Sequence, residues 1–162
     1  MARRIMLNGT SYFGQGAIQE IVNEVKNRHF KKVLVTSTPD LFEFKVATKV
    51  TDLLDAAGIA YDVYDNIKPN PTIENVTSGV ATCKAAGAEA IVAVGGGSAI
   101  DTSKAIATIM TNPEFGDVRS LEGLAPTKNP CLPIIAVSTT SGTAAEVTIN
   151  YVITDVEENR KF

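Results

Sequence analysis

The sequence predicts an α/β fold, a Rossmann-like parallel sheet flanked by helices. Three observations predict it. Short β-branched apolar runs, KKVLVTS (31–37), EAIVAVGGG (89–97) and LPIIAVST (132–139), alternate with longer stretches of helical period. That alternation is the signature of right-handed βαβ units. Turn residues punctuate the junctions, among them Gly58, PNPT (69–72) and the glycines 95–97. Finally, 162 residues with 44% hydrophobic and 20% charged side chains suit one ordinary globular domain. Disorder and collagen-like repeats are thereby excluded.

Taken in order, RIMLNGTSYFGQG (4–16) carries an Asn8-Gly9 hairpin signal and predicts an added N-terminal antiparallel strand pair. Ile18, Ile21, Val22 and Val25 then fall on one face of a helix between Gly16 and Arg28. His29 follows at its end, where a cation favours the helix C-terminus. The run 31–37 reads as a buried strand, and 40–58 as a helix ended by Gly58. IAYDVYD (59–65) alternates apolar and polar, as a strand near the sheet edge does. Thr72 is placed to cap a helix bearing Ile73, Val76, Val80 and Cys83 on one face. A strand over 89–97 hands over to a helix over 98–110. An irregular Gly/Pro-rich segment (113–130), a strand over 132–139 and a further extended stretch, 146–155, complete the chain.

Composition excludes several classes of function. A net charge of −3 without a basic run leaves no footprint for nucleic acid or anionic membrane. No apolar run approaches bilayer length, and no signal-peptide apolar region follows Arg3 and Arg4. Cys83 and Cys131 form neither a disulfide framework nor a metal spacing. A soluble, cytoplasmic domain is expected. With His29 its single histidine, the chain is expected to contribute no metal ligand and no catalytic acid or base.

VAVGGGSAIDTSKAIA (92–107) is the informative stretch. Three bare residues at the carboxyl end of a parallel strand, with a helix starting at once, let a phosphate approach backbone N–H groups. Ser98 and Asp101 also fit a capping box, so helix closure competes as a second role for them. Ile100 breaks the G-x-G-x-x-G fingerprint, and no P-loop is present. After the last strand, STTSGTAAE (138–146) crowds Thr139, Thr140 and Thr143 about Gly142. Their hydroxyls suit either a ribose or local turns. KPNPT (68–72) presents Asn70 on a rigid turn.

In this order and spacing, PNPT, VAVGGGSAIDTSKA and STTSGTAAEVTINYVITD resemble the amino-terminal half of the iron-dependent, group III, alcohol dehydrogenases. NPEFGDVRSLEGL and the start MLNGTSYFGQGA extend the likeness from end to end. The resemblance implies a dinucleotide-binding domain over 1–162, with Gly96, Gly97 and Ser98 on the pyrophosphate. It also implies Asn70, Thr139, Thr140 and Thr143 in the cofactor groove, Val152 and Lys161 near the nicotinamide ribose, and Asp101 toward the nicotinamide. Members transfer hydride between NAD(P)H and a short aldehyde; those most like this chain act on lactaldehyde and 1,2-propanediol. A homodimer joined through residues near 4–14 is implied too. The family's Fe2+ is held by an Asp and three His of a helical second domain, and this chain stops at Phe162 before them. The chain alone is therefore expected to be inactive. Thr38 stands where the nearest members carry an Asp for the adenosine ribose, so NAD is implied and NADP stays open. Ser138 replaces the usual proline. A stand-alone nucleotide-binding module and a related butanol or polyol dehydrogenase are the alternatives.

Overall fold

A computed structural model describes residues 8–162. Four parallel strands, β1 (Lys32–Thr36), β2 (Ala60–Tyr64), β3 (Ala90–Gly95) and β4 (Ile134–Ser138), lie in the order β2-β1-β3-β4. Helices α1 (Glu20–Asn27), α2 (Pro39–Glu43), α3 (Thr48–Ala56), α4 (Ile73–Ala86) and α5 (Gly97–Thr111) connect or flank them. The register runs Val35 beside Val92 and Gly95 beside Ser138. From β1 the chain turns toward β2, and from β3 it turns the other way toward β4. The carboxyl ends of β1 and β3 therefore flank the switch point where open α/β sheets bind ligands.

Strands buried on both faces explain the continuous apolar runs. Val33, Val35, Val92 and Val94 point into one core with Ile21 and Val25 of α1 and Val50 and Leu54 of α3. Leu34 and Ile91 point into the other, against Val76 and Val80 of α4 and Ile106 of α5. Thr72 caps α4 as expected: its hydroxyl accepts from the Asn75 amide, and Asn75 Oδ1 accepts from the Thr72 amide at 3.0 Å.

Gly79 lets α4 lie close against α5. A Cβ there would stand 2.3 Å from Ile106 Cδ1 and 3.0 Å from Tyr64 Cε1. The Tyr64 hydroxyl is anchored on the Asn75 carbonyl and Ser78 Oγ, so the ring yields little. Gly79→Ala gains helix propensity of about 1 kcal/mol but overpacks a closed core at about 1–3 kcal/mol. A net loss of up to about 2 kcal/mol is expected in urea unfolding.

Three expectations are corrected in detail. The helix over 40–58 is two. Pro39 opens short α2, and the Leu41 carbonyl then accepts from both Val46 and Ala47, closing that helix before α3 begins. Of the stretch 146–155 only Thr154–Asp155 (β5) is strand, pairing antiparallel with Arg160–Lys161 (β6). The N-terminal strand pair falls partly on residues 1–7, outside the described residues. Within 8–16 there is no strand, because the Asn8 amide closes a local turn on the Thr10 carbonyl and Ser11 Oγ. The molecule's separate antiparallel pair is β5–β6. Among the described residues no helix is long and apolar enough to cross a membrane.

Candidate cofactor-binding site

The three glycines of the 95–97 turn face different neighbours, and Gly95 and Gly96 have no room for a Cβ. Gly95 has φ +150°, a region that disfavours side chains, and a Cβ there would meet Ala99 Cβ at 2.7 Å. At Gly96 a Cβ would stand 2.8 Å from Thr140 Oγ1; at Gly97, 3.4 Å from Thr143 Cγ2. The two motifs thus face one another across a narrow crevice. They are stitched at its base by the Thr139 N–H donating to the Gly95 carbonyl at 3.0 Å. Thr139, Thr140 and Thr143 are exposed, so the crevice opens to solvent.

The amides of Gly97, Ser98 and Ala99 open α5 and meet no acceptor among the described residues; the first bond of the helix runs from Ile100 N to the Gly96 carbonyl. The capping-box alternative fails here. Ser98 makes no cap bond, and Asp101 accepts instead from the Val152 amide at 3.2 Å. The helix end is left as an uncovered set of donors with partial positive charge, suited to an anion.

The other expected residues lie along the same edge. Thr38 is the N-cap of α2, just past the end of β1, and is half-buried. Asp101 and Lys104 pair at 3.8 Å, and the Lys104 ammonium donates to the Asn150 carbonyl at 2.7 Å. Burial raises the Asp101 carboxyl above its ordinary range, against the Val152 N–H and Lys104, while burial lowers the Lys104 ammonium. Together they fasten the segment that carries exposed Val152. Asn70, at φ +54°, accepts from the Lys161 ammonium at 2.7 Å across 91 residues of sequence. The structure thus brings together Gly96 and Gly97 with Thr140 and Thr143, Asp101 with Val152, and Asn70 with Lys161.

Sequence reasoning missed the hydroxyls beneath the turn. Thr36 Oγ1 and Ser103 Oγ meet at 2.7 Å, and Ser37 donates to the Val94 carbonyl, tying the end of β1 to α5 and to β3. Nothing in their local pattern marks them. A groove of about 460 Å³ lies between α5 and β4, lined in part by Lys104, Cys131 and Tyr151, beside the crevice. Among the described residues no three His, Cys, Asp or Glu side chains gather as a metal site. The described residues do not fit an iron centre.

The family model for the iron-containing alcohol dehydrogenases matches residues 8–162. This chain belongs to that family. The lactaldehyde reductase of Escherichia coli (strain K12) is 54% identical over 162 residues, 100% of this chain and 42% of that protein. Alcohol dehydrogenase 4 of Saccharomyces cerevisiae (strain YJM789) is 38% identical over 151 residues, 93% of this chain and 39% of that one. Among solved structures, an alcohol dehydrogenase from Oenococcus oeni superposes with a TM-score of 0.91 at 35% identity, covering 99% of this chain and 42% of that one. A sulfoacetaldehyde reductase from Bifidobacterium kashiwanohense, solved in complex with NAD+, gives 0.85 at 28% identity, again with 99% and 42% covered. This iron-containing alcohol dehydrogenase chain spans 42% of the length of the first of those curated relatives. The Rossmann-like expectation and the oxidoreductase family both stand.

Proposed function

We propose that residues 1–162 are the dinucleotide-binding domain of an enzyme that interconverts lactaldehyde and 1,2-propanediol with NAD(H). One observation carries this reading: three unsatisfied amides at the head of α5, bared by glycine and facing Thr140 and Thr143 at the sheet's switch point. Gly96, Gly97 and Ser98 would receive the diphosphate, with the helix end supplying donors and positive potential. Thr139, Thr140 and Thr143 would close the opposite wall, and Asn70 and Lys161 would hold a ribose. Val152 would flank the nicotinamide, with Asp101 fixing its backbone from behind. The bound coenzyme supplies hydride; this chain orients it.

Family membership and the 42% span support the remaining elements of the proposal. The iron ligands would come from the part of the relatives' length that this chain does not cover. The assembly would be a cytoplasmic homodimer joined through residues near 4–14. Thr38 presents no carboxylate to a 2′-phosphate, so NADPH is expected within about tenfold of NADH, a difference of 1.4 kcal/mol.

Calorimetric titration of the 162-residue chain with NADH and NADPH tests the binding assignment. Weak saturable binding of both is expected. No propanediol oxidation is expected with NAD+ and added Fe2+; turnover would overturn the division of labour.

A further inference from the structure

The sharpest electrostatic feature outside the crevice lies on the β5–β6 hairpin. Asp155 is fully buried, yet its carboxylate is fully engaged. It accepts from Arg119 Nε at 2.5 Å and Nη2 at 3.0 Å, and from the amides of Glu157 and Glu158 at 3.1 and 3.2 Å. Arg119 belongs to the 3-10 turn Val118–Leu121, so the pair ties that turn to the hairpin. A second link runs in parallel. Arg160 donates to Glu122 and to Glu158, both at 2.7 Å, with its guanidinium 5.4 Å above the Phe162 ring. Bidentate Arg–carboxylate pairs fix orientation as well as distance.

The hairpin needs such fixing. Its strands have two residues each, too short to be stable alone in water. A buried ion pair adds little net stability over an apolar filling of the same volume, so its geometry is the more telling property. The network also sorts charge. Arg119 is matched by Asp155 and Glu157, and Arg160 by Glu122 and Glu158. Lys161, next in the chain, makes no ion pair among the described residues and meets only the neutral Asn70 oxygen. Its positive charge stays available to an anionic or hydroxyl-rich ligand beside Asn70.

We propose that Arg119 and Asp155 are positioning residues for the coenzyme: their ion pair sets the hairpin so that the Lys161 ammonium stands beside Asn70. The inference rests on the dinucleotide-binding reading above. Arg119 acts through Lys161 and touches no coenzyme itself. The hydrogen bonds from Thr154 N to the Pro71 carbonyl and from Lys161 to Asn70 complete the path from the clamp to the Asn70 turn.

The test is a double-mutant cycle read by NADH titration: wild type, Arg119→Met, Arg119→Lys, Lys161→Met and Arg119→Met with Lys161→Met. Arg119→Met is expected to weaken NADH about tenfold, equivalent to 1.4 kcal/mol. Arg119→Lys keeps the charge with one bond of the fork and recovers part of the loss, a rescue that general loosening does not give. The double variant binds no more weakly than Lys161→Met alone, because Arg119 has nothing left to position. Melting curves confirm that each variant is folded at the titration temperature; should Arg119→Met not be, Arg119→Lys against Lys161→Met carries the cycle. Unchanged NADH affinity in folded Arg119 variants, or additive losses in the double variant, overturns the proposal. If those variants bind normally while Gly97→Val binds nothing, the coenzyme reading survives and this inference falls. If the wild-type chain binds no NADH, both fall.

Discussion

Gly97→Val abolishes NADH binding by a chain that still folds. Gly97 is half-buried and lacks a left-handed φ, so a larger residue meets no backbone strain there. A Cβ would find Thr143 Cγ2 at 3.4 Å and Thr143 Cβ at 3.5 Å, ordinary contacts with an exposed side chain. Helix propensity favours valine over glycine by a few tenths of a kcal/mol, so the melting temperature is expected to shift by no more than a few degrees. Binding responds differently. The two valine methyls add branched carbon on the side of the turn that faces Thr143, at the head of α5 where the amides of Gly97, Ser98 and Ala99 are free. A diphosphate must approach those amides to hydrogen-bond distance, which branched carbon prevents. A loss of at least about a hundredfold, near 2.7 kcal/mol, is expected, with about tenfold for Gly97→Ala. Titration of each variant alongside its thermal melt separates the two effects. Valine-bearing protein that binds NADH like the wild type would remove the glycine turn from the site.

The fold was legible where burial alone dictates residue type. Val33 to Val35 and Ala90 to Val94 are apolar without interruption because helices cover both faces of those strands. It was illegible where the decision is local hydrogen bonding. Nothing in the period of 40–58 reveals that the Leu41 carbonyl takes two amides and ends α2. The stretch 146–155 reads as extended, but Val147, Ile149 and Val152 within it are exposed and find no partner strand among the described residues. At the site, the glycines and the threonine loop were readable because close approach requires them. The spacing of Ser98 and Asp101 allowed a capping box. It could not reveal that the Val152 amide, 51 residues away, would claim the carboxylate. The Asn70–Lys161 and Arg119–Asp155 pairs have no local signature, since only the folded chain brings their elements together.

Asn112→Ala is expected to cost stability without costing coenzyme affinity. Asn112 ends α5 fully buried. Its amide donates to the carbonyls of Thr108 and Asn129 and to Thr111 Oγ1, each at 3.0 Å; its oxygen accepts from the amides of Lys128 and Asn129 at 3.1 and 2.9 Å. One side chain thereby performs the pairing that the Gly/Pro-rich segment lacks a strand to perform. Truncation leaves several backbone groups without partners. Lys128 and Asn129 are exposed enough for water to replace some of these bonds, which holds the loss to about 2–3 kcal/mol. For a domain of this length that lowers the melting temperature by about 5–10 °C. Asn112→Asp is worse, because it points a carboxylate at the Thr108 and Asn129 carbonyls in a buried position. The crevice is insulated from this damage. β4 keeps its five-residue register with β3, from Ile134 beside Ile91 to Ser138 beside Gly95, and the Thr139 amide stays on the Gly95 carbonyl. NADH titrated well below the melting temperature should therefore bind Asn112→Ala within about twofold of wild type, a difference of about 0.4 kcal/mol. A larger loss would mean that the loop before β4 governs the threonine wall, and that the frame and the site are one cooperative unit.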